Sequence, residues 1–282
     1  MIAKASAKDR LDLFFSSLPI EAKKSLGQNF LIADHVVEKI ISEVDLKKPK
    51  KILEIGPGPG ALTDYLRDRD PEIMLIELDH LFAQHWRHQG LKVFEIDALT
   101  WDWTLIEKPE EVLLVSNLPF QISSTLVIDR SLDMNPLQGM ILMFQKEVAQ
   151  RIKSKESSEH YGLLSVIAQV FWEISLVCEA GPRDFKPAPQ VASRVLVFKP
   201  RQNVDPNLDR KEFLKFAKCC FAHRRKILRK NLESGWLPVE LKPRWNQWIS
   251  VNKLSESLRA EELRPEDFVE LFNYLREPQG SV

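Results

Sequence analysis

Lys51-Ile52-Leu53-Glu54-Ile55-Gly56-Pro57-Gly58-Pro59-Gly60 is the stretch on which the fold turns: an apolar run that breaks into alternating glycine and proline. The run suits a buried strand, and the glycines suit a tight turn that lets backbone approach a ligand closely. Working outward, Ile73-Met74-Leu75-Ile76 reaches Glu77, Val93-Phe94-Glu95-Ile96 reaches Asp97, and Val112-Leu113-Leu114-Val115 reaches Asn117. Gly56, Glu77, Asp97 and Asn117 therefore recur every 20 or 21 residues. One strand, one helix and one return take about that length, so four polar positions are expected along one edge of a parallel sheet.

The rest of the chain extends that α/β pattern and then leaves it. Gly139-Met140-Ile141-Leu142-Met143-Phe144-Gln145 reads as a fifth strand, followed by helices over 146–151 and 163–171 and strands over 174–180 and 194–198. Between those last strands Pro187 and Pro189 forbid helix and hold an extended loop that positions Phe185. Beyond 200–206 the pattern is helical. Phe213, Phe216 and Ala217 share a face, Ile227, Leu228 and Leu232 follow, and Phe268, Leu271, Phe272 and Leu275 recur after Pro265 at helical spacing. A small α-helical domain is expected after the sheet.

Bulk composition narrows the class. The 282 residues are 44% apolar and 28% charged, enough for one α/β domain and a smaller partner. No apolar run approaches the roughly 20 residues of a membrane span. Three cysteines, two of them adjacent (Cys219, Cys220), make a poor disulfide or metal framework, so a cytoplasmic setting is expected. His80, His85 and His88 are too loosely spaced for a ligand set and are read as surface residues; no metal is expected. The formal net charge is zero, which argues mildly against nucleic acid. The local pattern argues the other way, since Lys215, Lys218, Arg224, Arg225, Lys226, Arg229 and Lys230 crowd one segment with no acidic residue among them.

The glycine loop has two readings. Gly56 to Ala61 matches a dinucleotide fingerprint, with Glu77 placed to meet a ribose, so a nicotinamide-dependent oxidoreductase is one candidate. Against it, Pro57 and Pro59 remove N–H donors that a pyrophosphate would need, and the Glu54 carboxylate is expected to face the same cleft. S-adenosylmethionine carries no phosphate and is cationic at sulfur and nitrogen. For it, Glu77 would accept from the ribose hydroxyls and Asp97 from the adenine amine.

Asn117-Leu118-Pro119-Phe120 supplies the chemistry. An amide oxygen, a neighbouring carbonyl, a rigid proline and an aromatic face can together grip a planar amine. If Asn117 and Leu118 accept its two N–H bonds, the nitrogen lone pair can turn toward a methyl donor while Phe120 stacks on the ring. Such positioning is worth effective molarities of roughly 10⁵ M. The tetrapeptide alone fits amine or amide methylation.

With these residues quoted, the chain resembles the small-subunit ribosomal RNA adenine N6,N6-dimethyltransferase (dimethyladenosine transferase) family from about Lys23 onward. The resemblance is carried by the segments 26–31, 54–60, Glu77, Asp97-Ala98, 117–120, 145–151, 161–166 and 185–193, and by Phe221, Arg224 and Leu228 in the basic block. It implies a Rossmann-like S-adenosylmethionine-dependent methyltransferase domain over 23–200, an N-terminal extension over 1–22, and a helical RNA-binding domain over 201–282. It implies cofactor contacts from Gln28, Asn29, Leu31, Glu54, Gly56, Gly58, Gly60, Glu77, Asp97 and Asn117, with Gln28, Asn29 and Leu31 in a lid strand. It implies that Asn117, Leu118, Pro119, Phe120 and Phe185 carry the reaction, with Phe120 and Phe185 sandwiching the adenine. Arg224, Arg225, Lys226, Arg229 and Lys230 would meet RNA. The expected partner is ribosomal RNA in the small subunit or its precursor, the expected substrate a pair of adjacent adenosines, and the expected state a monomer. Phe120 stands where the family often has Tyr, and the neutral net charge departs from the usual basic one. The alternatives are a large-subunit enzyme of the macrolide-resistance type, an oxidoreductase, or a non-enzymatic RNA-binding assembly factor.

Overall fold

The computed structural model describes residues 5–17, 28–69 and 71–276. The boundary expected at 22/23, together with Leu26 and Gly27 of the first motif, lies outside the described residues. In chain order the helices and strands are α1 (Ala7–Ser17), β1 (Phe30–Leu31), α2 (Asp34–Lys47), β2 (Lys51–Ile55), α3 (Thr63–Arg67), β3 (Glu72–Glu77), α4 (His80–His88), β4 (Lys92–Glu95), β5 (Val112–Asn117) and α5 (Ser123–Ser131). They continue with β6 (Gly139–Gln145), α6 (Lys146–Lys153), α7 (Leu163–Phe171), β7 (Trp172–Ala180), β8 (Phe185–Lys186), β9 (Ser193–Pro200), α8 (Arg210–Cys220), α9 (Leu228–Glu233), α10 (Lys242–Val251) and α11 (Pro265–Arg276).

Seven strands form one sheet in the order β4-β3-β2-β5-β6-β9-β7. The five from β2 to β6 run parallel, and β9 pairs antiparallel with β6. The chain moves outward from β2 in one direction through β3 and β4, then returns to β2's other side with β5. The carboxyl ends of β2 and β5 thus flank a topological switch point, where open α/β sheets bind ligands. Register makes the sequence spacing physical. Ile55 lies opposite Ile76, Glu54 opposite Val115, and Glu77 opposite Glu95, so Gly56, Glu77 and Asn117 sit level along one edge, with Asp97 two residues past the level of Glu77 on the same edge. β2 and β5 are buried along nearly all their length, which is why they read as apolar runs without alternation.

The chain divides into two compact units. The first comprises Met1–Val127, Asn135–Ala149 and Glu173–Pro200 and contains the sheet apart from the first residue of β7. Its core includes one face of α2, where Val36, Val37, Ile40, Ile41 and Val44 follow helical spacing against Ile52, Leu113, Val115 and Ile141 of the strands. The second comprises Ile128–Met134, Gln150–Trp172 and Arg201–Val282. It packs aromatic rings from α8, the residue that follows it, and α11: Phe213 and Phe272 meet edge-on at 5.5 Å, and Phe221 stacks on Phe268 at 5.5 Å. The buried Tyr161 hydroxyl donates to the Leu263 carbonyl at 2.8 Å.

The reading of three histidines as surface residues needs one correction. His80 and His88 are exposed, but His85 is half-buried, its ring edge-on to both Phe14 and Trp86 at 4.8 Å. Helix α1, unread in the sequence, supplies that neighbour. Ala7, Leu11 and Phe14 form a buried stripe at helical spacing, and Leu11 and Phe14 pack with Phe30 and Phe82.

Candidate active site

A cleft of about 180 Å³ opens at the carboxyl edge of the sheet. Of the residues expected to contact cofactor, Gln28, Asn29, Gly56, Gly58, Glu77, Asp97 and Asn117 line it, as do Leu118, Pro119 and Phe120. The spacing had also hidden several apolar walls: Phe30, Ile76, Leu78, Phe82, Ile96, Ala98 and Ile122. Most of these are the immediate neighbours of the strand-end acids, a signal legible once the acids were chosen. Leu78, 53% exposed beside Glu77, is the plainest of them.

The glycine loop spends its own donors. Gly56 N–H goes to Ile76 O at 2.8 Å, Gly58 N–H to Glu77 Oε2 at 3.2 Å, and Gly60 N–H to Pro57 O at 3.0 Å. Pro57 and Pro59 have none to give. A loop so committed cannot cradle a diphosphate, and it suits a cofactor without phosphate. Gly58 holds φ +52°, which its hydrogen bonds on both sides require: its carbonyl also accepts from the Trp86 indole N–H at 2.8 Å.

Glu77 forms the cleft wall and is 6% exposed. Its second oxygen accepts from the Asp79 N–H at 2.8 Å, and burial pushes its carboxyl up to about 7 despite those bonds. Each oxygen keeps lone-pair capacity for a ribose hydroxyl. Asp97 turns one oxygen to Leu99 N–H at 2.9 Å. Gln28 reaches Asp79 Oδ2 at 3.5 Å, at the edge of hydrogen-bonding range.

At the other wall, the Asn117 amide nitrogen donates to Asn29 O at 3.2 Å. A carbonyl oxygen only accepts, so this bond ties the amide through its nitrogen and leaves Asn117 Oδ1 as an acceptor on a residue that lines the cleft. The next carbonyls divide unequally. Pro119 O takes Ile122 N–H at 3.2 Å and Phe120 O takes the Ser123 hydroxyl at 2.9 Å, whereas Leu118 O accepts nothing from the described residues. Two adjacent open acceptors result. Phe120 is half-exposed at the same wall.

Four expectations change here. Glu54 does not present a carboxylate to the main cleft: it is 2% exposed, accepts from the Thr63 hydroxyl at 2.8 Å, and burial pushes it up to about 8. It lines a smaller side cavity instead. Gly60 lies against Trp86, where a Cβ would stand 2.7 Å from the indole ring, so its place is set by packing and φ +95°. Leu31 is buried in the core and lines the smaller side cavity, not the main cleft, because β1 forms a separate two-stranded ladder with β8 in which Leu31 opposes Phe185. That pairing also buries Phe185, 3% exposed in the same core, so its ring offers no stacking face to the cleft.

The basic block lies in the second unit, on the turn between α8 and α9 and the first turn of α9. Asn231 ties this turn by donating to Cys220 O at 2.8 Å and His223 O at 3.1 Å. Arg224 is a structural clamp, bonded to Glu261 at 2.7 Å and to the carbonyls of Ser158 and Glu159. Arg229 pairs with Glu233 at 3.0 Å. Arg225, Lys226 and Lys230 are exposed and form no ion pair with a described residue.

Fold and site together define an S-adenosylmethionine-dependent methyltransferase. A profile of the ribosomal RNA adenine dimethylase family matches residues 20–277. The chain is 49% identical over 270 residues to a Bdellovibrio bacteriovorus protein named ribosomal RNA small subunit methyltransferase A, covering 95% of this chain and 97% of that one. It is 35% identical to a Sulfurihydrogenibium protein of the same name over 260 residues, covering 90% and 96%. Two solved structures share the fold. One is a dimethyladenosine transferase from Plasmodium falciparum (TM-score 0.71, 24% identity, 87% of this chain and 98% of that one), and the other a 23S rRNA methyltransferase (TM-score 0.65, 24% identity, 88% and 100%). The chain belongs to the ribosomal RNA adenine dimethylase family and uses S-adenosylmethionine as methyl donor. The oxidoreductase reading of the glycine loop is thereby set aside. Among the described residues no helix is long and apolar enough to cross a membrane, and no group of three His, Cys, Asp or Glu could hold a metal.

Proposed function

We propose that this enzyme dimethylates the N6 amines of two adjacent adenosines in small-subunit ribosomal RNA, acting as a cytoplasmic monomer on the subunit or its precursor. The observation that carries the reading is that the consecutive residues Asn117 and Leu118 both line the cleft, with the Asn117 amide tied through its nitrogen and Leu118 O accepting nothing from the described residues. An exocyclic adenine amine is a poor nucleophile because its lone pair is delocalised into the ring. Accepting both its N–H bonds draws the nitrogen toward tetrahedral geometry and aims the lone pair into the cleft. Pro119 stiffens the main chain behind Leu118, and Phe120 gives the base a stacking face. Bound there, S-adenosylmethionine supplies an electrophilic methyl group on a cationic sulfur. Glu77 would hold its ribose and Asp97 its adenine amine, with Gln28 and Asn29 beside them; no strong general base is needed, because the methylated amine sheds its proton readily.

The choice of the small subunit rests on the names carried by the two relatives. In this reading residues 23–200 hold the cofactor and residues 201–282 meet RNA, chiefly through Arg225, Lys226 and Lys230. Purified small and large subunits from cells lacking adenine dimethylation, incubated with enzyme and labelled methyl donor, provide the test. Label in N6,N6-dimethyladenosine of small-subunit RNA is expected; label confined to large-subunit RNA would assign the enzyme to the other class.

A further inference from the structure

Beside the main cleft lies a smaller cavity of about 30 Å³ that shares Phe30, Gly56 and Asn117 with it. One water needs roughly 10–15 Å³ of such space, so there is room for a group the size of a carboxylate. Its wall carries two opposed ionisable groups: Glu54 from β2 and Arg10 from α1.

Arg10 is held as a binding group is held. Its guanidinium lies 4.4 Å over the Tyr65 ring, and Nη1 sits 3.7 Å from Asp64 Oδ2, an ion pair beyond hydrogen-bond length. Nε and Nη2, the edge that grips a carboxylate in two parallel bonds, are buried and make no hydrogen bond to any described residue. Among the described residues Arg10 is the one arginine in which both atoms of that edge are left so. Burying charged donors without acceptors is costly, and a ligand carboxylate would offset it. Helix α1 holds Arg10 there: Leu11 and Phe14 are buried against Phe30 and Phe82, and Ala7 N–H donates to Asp34 Oδ1 at 2.8 Å.

We propose that Arg10 binds the carboxylate of the cofactor's amino-acid portion, with Glu54 facing its ammonium group, so that α1 completes the cofactor site. The inference rests on the cleft holding S-adenosylmethionine. The test compares binding by calorimetry of S-adenosylhomocysteine, which keeps the amino-acid group, with 5′-methylthioadenosine, which lacks it. Arg10→Met is expected to weaken S-adenosylhomocysteine about tenfold or more and to leave 5′-methylthioadenosine within about twofold, with Arg10→Lys intermediate. On wild-type protein, decarboxylated S-adenosylmethionine should bind about tenfold more weakly than S-adenosylmethionine, and Arg10→Met should abolish the difference. Equal weakening of both nucleosides would make Arg10 a packing residue, and unchanged binding of S-adenosylhomocysteine would remove it from the site. Wild-type protein that bound neither nucleoside would instead defeat the cofactor reading itself.

Discussion

The Thr63 hydroxyl donates to Glu54 Oε2 at 2.8 Å inside a wall closed to solvent. That one bond does not compensate the loss of water, and burial pushes Glu54 up to about 8 and neighbouring Glu77 up to about 7. Near pH 5 both are protonated in the folded protein. As pH rises, their unfolded counterparts release protons first, from about 4.5 upward, and the folded state loses ground until pH passes the raised values. Stability should therefore fall between about pH 4.5 and 8, by at most about 1.4 kcal/mol per pH unit for each group. Glu54→Gln keeps an acceptor for Thr63 and removes the charge. Urea midpoints at several pH values should show a flatter decline for that variant, most clearly above pH 7; parallel profiles would mean Glu54 ionises normally.

Gly60→Ala should destabilise the fold by about 2 kcal/mol, since the new methyl would stand 2.7 Å from Trp86 while the backbone holds φ +95°. Trp86 fluorescence during denaturation would follow it. A variant as stable as wild type would show that the loop relaxes, and that Gly60 is not kept for close approach.

Much of this arrangement was legible in the chain, for reasons that can be named. β2, β3 and β5 are buried on both faces, so their sequences are unbroken apolar runs, and parallel register keeps their ends level. The spacing of Gly56, Glu77, Asp97 and Asn117 in the sequence therefore groups them at one sheet edge. The stripe in α11 was equally plain. Glu54 and Phe185 were not, because side-chain direction there depends on distant partners: Thr63 from α3 for one, the β1–β8 ladder for the other. Arg224 was indistinguishable from Arg225 by sequence, and only the nearness of Glu261 and the 158–159 carbonyls makes it a clamp. Helix α1 is not legible in the sequence because its charged residues, Asp9, Arg10 and Asp12, interrupt the Ala7, Leu11 and Phe14 stripe.

The same distinction separates two kinds of basic-block variant. Replacing Arg225, Lys226 and Lys230 together by Gln should weaken RNA binding and reduce the slope of log affinity against log salt by about 2, near 0.7 for each lost phosphate contact. Folding should be unaffected. Arg224→Gln should lower thermal stability instead, through loss of its ties to Glu261, Ser158 and Glu159. Filter binding across a salt series, paired with melting curves, separates them; an unchanged slope in the triple variant would place RNA elsewhere.

The central claim is that Asn117 Oδ1 and Leu118 O receive the target amine. Its most direct test is the single-turnover rate of methyl transfer by Asn117→Ala on unmodified small subunits, with cofactor affinity measured separately. The rate should fall about 100-fold or more, as when one oriented polar partner is removed from a reacting centre, while S-adenosylmethionine binding weakens only severalfold. Transfer at the wild-type rate would contradict the account.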